Sequence, residues 1–181
     1  MKRFVWIGAF ILVAAIAHMA SLRAAPYMIM SKVIRTMADR GMPLHRFIIS
    51  SRITPQTQTI VRPSPDLAYS ICRFDLANGP IIIKGTMWAG YASLTIFDAQ
   101  TNAVFIGSLD SENPDENSSQ NSVILTMGSD VKAAKNIPIV MLKKPTGLAL
   151  IRRIAPTTAL YEQAQLLTKS DVCAPYSASQ Q

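Results

Sequence analysis

Histidine is almost missing from this chain: of 181 residues only His18 and His45 are histidines, and His18 lies inside an apolar run. That leaves His45 as the sole imidazole available as a general base in the remainder. No HExxH, nucleophile elbow or phosphate-binding glycine loop occurs. The pair Ser129–Lys132 (SxxK) and Lys144–Gly147 (KPTG) is too loose for an acyl-serine enzyme, because Pro145 interrupts the second motif and nothing like SDN lies between them. Cysteine is equally sparse. Cys72 and Cys173 are the only two, with no CxxC, so no zinc spacing exists. The acidic stretch 110–121 fails as an EF-hand, since its sixth position is Asp115 rather than glycine, and reads as a solvated loop. The chain therefore presents no metal or cofactor site.

Acidic residues are missing from the first third. Up to Arg62, nine basic residues stand against Asp39 alone; from Pro63 onward nine basic residues face ten acids. The net charge of +7 thus belongs to the N-terminal part, and the rest is close to neutral. Without a basic helix carrying interleaved aromatics, or any recognition motif, this distribution excludes nucleic acid and points to anionic lipid headgroups.

What is abundant is apolarity at the start. Lys2 and Arg3 precede an apolar run from Phe4 to Leu22, closed by Arg23. As a helix its nineteen residues rise about 28 Å, close to the hydrocarbon thickness of a bilayer. The triplet Ala15-Ile16-Ala17 also permits signal cleavage, but the run continues past it, so residues 1–25 read as a single-pass anchor or uncleaved signal. Lys2 and Arg3 precede the span while Arg23, Lys32, Arg35 and Arg40 follow it, and by the positive-inside rule the larger count after the span argues for a cytoplasmic C-terminal part.

Residues 26–45 predict a second, amphipathic helix. Pro26 suits its first position and Gly41 its end. The stripe Tyr27, Met30, Val33, Ile34 and Met37 fits either the headgroup layer or packing on a domain. From residue 46 to 172 the period changes to that of strands, at 47–50, 58–62, 67–74, 80–85, 91–97, 103–107, 122–127, 137–142 and 147–154. Asn78-Gly79 signals a hairpin, and Asp98–Asn102 makes a longer turn. One helix, capped by Thr157 or Thr158, closes the domain, and 173–181 is a polar tail. The fold class is mainly β: an antiparallel sandwich or barrel-like domain with an N-terminal transmembrane helix, an amphipathic helix and a C-terminal helix. A free thiol at Cys173 is an odd choice in a polar tail, so a Cys72–Cys173 disulfide is expected if the domain lies outside the cytoplasm.

The stretch Val61–Gly107 carries a more specific pattern: Arg62, then Asp66, Tyr69-Ser70, Asp75-Leu76, Gly79-Pro80, Tyr91, and Asp98 with Thr101-Asn102. In this it resembles the family called domain of unknown function 1254, in its short, membrane-anchored type. The resemblance implies a β-rich domain on the periplasmic side of the inner membrane, often encoded beside or fused to a partner of the family numbered 1214. It implies no particular reaction. The expected role is a non-catalytic binding or scaffold component of the cell envelope, with membrane lipid and a 1214-type protein as partners. The alternative is an envelope enzyme using a polar pocket of Arg62, Asp66, Tyr69, Tyr91 and Asp98. Asp66, following Pro-Ser-Pro, also has a purely structural role open to it as a turn cap.

Overall fold

The computed structural model describes residues 2–54, 63–112, 121–128, 131 and 137–177. Arg62, the strand expected at 58–62, most of the acidic stretch and all of the SxxK motif except Val131 fall outside those residues.

The first element is a helix, α1 (Lys2–Asp39), of 38 residues, about 57 Å long at 1.5 Å per residue. It corrects the expectation of two helices divided at Pro26, which lies inside α1. Proline removes one main-chain bond, but the good helix formers Ala24, Ala25 and Met28 flank it, and no glycine lies between Pro26 and Gly41 to offer a stop. There the chain does stop. Gly41 takes φ 76°, and the amides of Gly41 and Met42 donate to Ala38 O (2.9 Å) and Met37 O (3.0 Å), a Schellman closure. Among the described residues α1 is the one helix long and apolar enough to cross a membrane. Its amphipathic stripe does not lie free for the headgroup layer: Met30 is buried, and Tyr27, Val33, Ile34 and Met37 are half-buried. The stripe packs on the domain instead.

Strands β1 (Ile48–Ile49), β2 (Leu67–Asp75), β3 (Ile81–Lys84), β4 (Ala92–Phe97), β5 (Ala103–Ser108), β6 (Ser122–Thr126), β7 (Ile139–Met141), β8 (Thr146–Ile154) and β9 (Val172–Pro175) form two sheets. The first runs β1-β2-β8-β4-β5 and is wholly antiparallel; the second runs β7-β6-β3-β9, with β6 and β7 parallel. Among the described residues each sheet keeps two edges, which makes an open sandwich rather than a closed barrel. Helix α2 (Thr158–Leu167), followed by a 3-10 turn at Thr168–Ser170, packs against it. Thr157 is the cap, its hydroxyl accepting the Leu160 amide at 3.3 Å. The Tyr161 hydroxyl donates to Ser50 O at 2.6 Å, and burial raises its pKa above the ordinary tyrosine value.

Two sequence expectations need correction. Asn78-Gly79 makes no hairpin, because β2 and β3 belong to different sheets; the turn carries the chain across the sandwich, with Gly79 at φ 123°. The polar tail is also wrongly bounded. Residues 172–175 form β9, paired to β3 through Ile83↔Cys173 and Ile81↔Pro175. Four residues of VCAP carry too little alternation to be read as a strand; pairing with β3 holds them.

The core follows from strict alternation on the two long strands. On β2, Ala68, Ser70, Cys72 and Phe74 face inward, opposite Arg153, Ile151, Ala149 and Gly147 of β8. Phe74 fits because Gly147 has no side chain: a Cβ there would lie 2.5 Å from Phe74 Cζ and collide with the Phe97 carbonyl oxygen. Gly147→Ala is therefore expected to cost about 1–3 kcal/mol or more by overpacking. Gly128→Ala, with nothing within 4 Å of the added carbon, should be near neutral. Thermal unfolding of the detergent-solubilised chain checks this, and equal midpoints for the two variants would refute it.

Candidate functional site

The candidate polar residues do not meet. Asp66, Tyr69 and Tyr91 gather at one end of the first sheet, where Asp66 O accepts the Ala155 amide (2.7 Å) and Tyr91 O the Ile154 amide (2.8 Å). Asp98 follows β4 at the other end, beyond the Phe97↔Leu148 pair. From Leu148 to Ile154 along β8 is about 20 Å at strand rise, too far for one pocket. Arg62 lies outside the described residues.

Tyr69 and Asp98 have local tasks, whereas the Asp66 carboxylate does not cap the turn as its position after Pro-Ser-Pro suggests. Asp98 closes the β4–β5 turn: Oδ1 accepts the amides of Gln100 (2.8 Å) and Asn102 (2.9 Å), and Oδ2 accepts the Asn102 side-chain amide (2.9 Å). Those bonds hold Thr101 at φ 65°. The Tyr69 hydroxyl accepts the Ser64 amide at 2.8 Å, fixing the entry to β2. The Asp66 amide donates to Ser64 Oγ at 3.4 Å, while its side chain is exposed. Tyr91 is 51% exposed and reaches only Ser93 Oγ, at 3.4 Å. His45 is engaged too: its Nε2 accepts the Asp75 amide at 3.1 Å, and Asp75 Oδ1 accepts the Ala77 amide at 2.9 Å. These are turn and strand-entry bonds rather than converging catalytic groups.

The strongest polar cluster lies elsewhere. Arg153 is 1% exposed on the inner face of β8, opposite Ala68 and Ala92, whose small side chains leave room for it. Its guanidinium grips Asp171 with two bonds, Nη1 to Oδ2 at 2.9 Å and Nη2 to Oδ1 at 2.7 Å. Nη2 also donates to Thr86 O at 3.1 Å, and Asp171 Oδ1 accepts the Thr86 amide at 2.8 Å. This is the single salt bridge among the described residues. A signal for it existed in the sequence: the alternation of Gly147, Ala149 and Ile151 puts Arg153 on the apolar face, a position that demands a buried partner.

Close by, Cys72 of β2 and Cys173 of β9 are joined Sγ to Sγ at 2.03 Å across the two sheets, with Cα atoms 6.6 Å apart. Among the described residues no group of three or more metal-ligating side chains forms. Three concavities among the described residues are not lined by any of the candidate residues. One of about 400 Å³ lies between α1 and the Lys144–Thr146 segment; one of about 460 Å³ lies between β1 and the end of α2; one of about 470 Å³ lies beside Trp88.

A family model described as "Protein of unknown function (DUF1254)" matches residues 44–175. No curated protein matches the chain. Among solved structures, the VPA0106 protein from Vibrio parahaemolyticus is similar at 14% identity and a TM-score of 0.58, over 86% of this chain and 35% of that one. An uncharacterised protein from Burkholderia cenocepacia shares 10% identity over 62% of this chain and 31% of its own, with a TM-score of 0.39. The Vibrio structure shows a shared fold; the present chain spans about a third of its length.

Breaking the Arg153–Asp171 pair from either side strands a buried charge, so Arg153→Met and Asp171→Asn should each lose about 3–5 kcal/mol of stability. The double change Arg153→Met/Asp171→Leu should recover part of that loss. Denaturation midpoints of the three variants provide the check, and single losses below about 1 kcal/mol, the range of an exposed pair, would contradict the account.

Proposed function

Because the chain belongs to the DUF1254 family, we propose that it is a membrane-anchored β-sandwich facing the periplasm from the inner membrane, a non-catalytic scaffold that docks a second envelope protein. The observation that carries the docking role is the open edge of the second sheet. Strand β7 pairs only with β6 among the described residues, and it exposes Ile139 and Met141 (60%) beside Met127 of the adjoining turn. An edge of this kind, apolar and short of a neighbour, invites an added strand from another chain. The partner we propose is a protein of the family numbered 1214.

The periplasmic placement draws support from the Cys72–Cys173 pair, since disulfides persist in oxidising compartments. It runs against the count of basic residues after the span. That count rests on Arg23, Lys32, Arg35 and Arg40, all exposed, and lipid headgroups can hold such charges on either side of the membrane. A fusion of the C-terminus to a reporter active only in the periplasm should give activity, and one active only in the cytoplasm should be silent. The reverse pattern would sink the topology.

For the docking role, a photo-crosslinking residue at Met141 in intact membranes should capture the 1214-type protein, whereas the same residue at the exposed Glu162 on α2 should not. Equal capture at both sites, or none at Met141 with the partner co-expressed, would overturn the edge-docking reading.

A further inference from the structure

The methionines outside α1 divide sharply by exposure. Met42 and Met87 are half-buried, whereas Met127 and Met141 are 47% and 60% exposed. The exposed two lie together at the β7 edge. Parallel pairing sets Thr126 of β6 opposite Met141 of β7, and the Leu142 amide donates to Thr126 O at 2.8 Å. Met127, the next residue after Thr126, therefore comes beside the Met141–Leu142 end of β7.

The cysteine sulfurs of the domain are not available to an oxidant in the same way. Cys72 and Cys173 are joined to each other, and no free cysteine exists among the described residues. The accessible thioethers of Met127 and Met141 are then the most open sulfur the domain presents. Alternation along β7 decides what a change there disturbs. Val140 packs on the core and Leu142 is 4% exposed, so the strand is held by its neighbours in sequence while Met141 stays in water. An oxygen added to the Met141 sulfur is solvated and leaves the contacts of Val140 and Leu142 as they are. In a docked interface the same oxygen needs a hydrogen-bond partner, because burying a polar group without one is costly.

We propose that Met127 and Met141 form a reversible oxidation site that closes the β7 edge to its partner. The co-reactant is a two-electron oxidant of the hydroperoxide class. The thioether lone pair attacks one peroxide oxygen, so that a sulfur–oxygen bond forms as the oxygen–oxygen bond breaks. Sulfur gives up two electrons, and with hydrogen peroxide the departing hydroxide takes the proton of the new S–OH group and leaves as water. The product, methionine sulfoxide, is returned to the thioether by enzymatic reduction, which reopens the edge. The modification follows from exposure and sulfur chemistry, whereas its effect on docking rests on the edge-docking reading.

The first test treats the full chain in neutral detergent with hydrogen peroxide and follows the gain of oxygen at each methionine by peptide mass spectrometry. Met127 and Met141 should react about tenfold faster than Met42 and Met87, since oxidation follows access to the sulfur, with the disulfide and the melting temperature unchanged. Equal rates, or unfolding before Met141 has reacted, would overturn the site. The second test places a photo-crosslinker at Ile139, 42% exposed on the same strand, in membranes with the 1214-type protein co-expressed. Peroxide should lower capture about tenfold or more, because each sulfoxide enters the interface as an unpaired polar group. Met127→Leu/Met141→Leu keeps the edge apolar and should make capture insensitive to peroxide. Unchanged capture after both methionines are fully oxidised, or an equal loss in the double leucine variant, would overturn the closing of the edge. No capture before peroxide refutes the docking reading and the closing with it, while the relative oxidation rates still decide the site.

Discussion

One buried ion pair constrains this sandwich more than any other contact. Arg153 and Asp171 are both almost wholly removed from water, and charges so placed are tolerated only when matched in geometry and saturated with further bonds. Thr86 supplies two of these, from its amide and its carbonyl oxygen, while the buried Arg153 Nε has no partner among the described residues. Three separated segments must therefore arrive together: the end of β8, the turn after β3 and the residue before β9. Once Asp171 is seated, Val172 and Cys173 are positioned to pair with β3, and Cys173 comes within reach of Cys72 on the opposite sheet. A four-residue strand at a sheet edge has little stability of its own. Here it is held by a charge pair and a covalent bond two residues apart.

The junction between helix and domain is built on the same logic of few but specific bonds. After the Gly41 stop, His45 adopts φ 57°, its amide donates to Arg73 O at 3.0 Å, and its ring accepts from Asp75. Arg73 reaches back to Met42. Because both ends of this short connection are bonded to β2, α1 leaves the domain in a defined direction and lays Met30 against the segment before β8. The same connection fixes the axis of α1, a helix long and apolar enough to cross a membrane, relative to the domain.

Much of this was legible in the residues. Alternation in LAYSICRFD and TGLALIRRI predicted the two longest strands within a residue or so at each end, because one face of each meets the core and the other does not. The Thr157 cap and the Gly41 stop were also readable, being local chemistry. What escaped was set by long-range pairing. Pro26 looked like a boundary because the local rule penalises proline, yet the helix continues through it; Asn78-Gly79 looked like a hairpin because a turn signal does not say which sheet the next strand joins. Arg153 was counted as one charge among many, although its place in the alternation already put it indoors.

The residues that carry the family pattern make a related point about where function sits. Tyr69 and Asp98 are each engaged by main-chain amides, and Asp75, Gly79 and Asn102 lie at strand ends or turns. A pattern made of such positions reports that the chain turns where this fold requires. The same residues have little freedom left for chemistry, since moving Asp98 toward a substrate would release the turn that holds Thr101 at positive φ. Any binding by this fold then falls to surfaces the turn residues leave free, such as the β7 edge, where main-chain groups lack a neighbour among the described residues and Met141 is exposed.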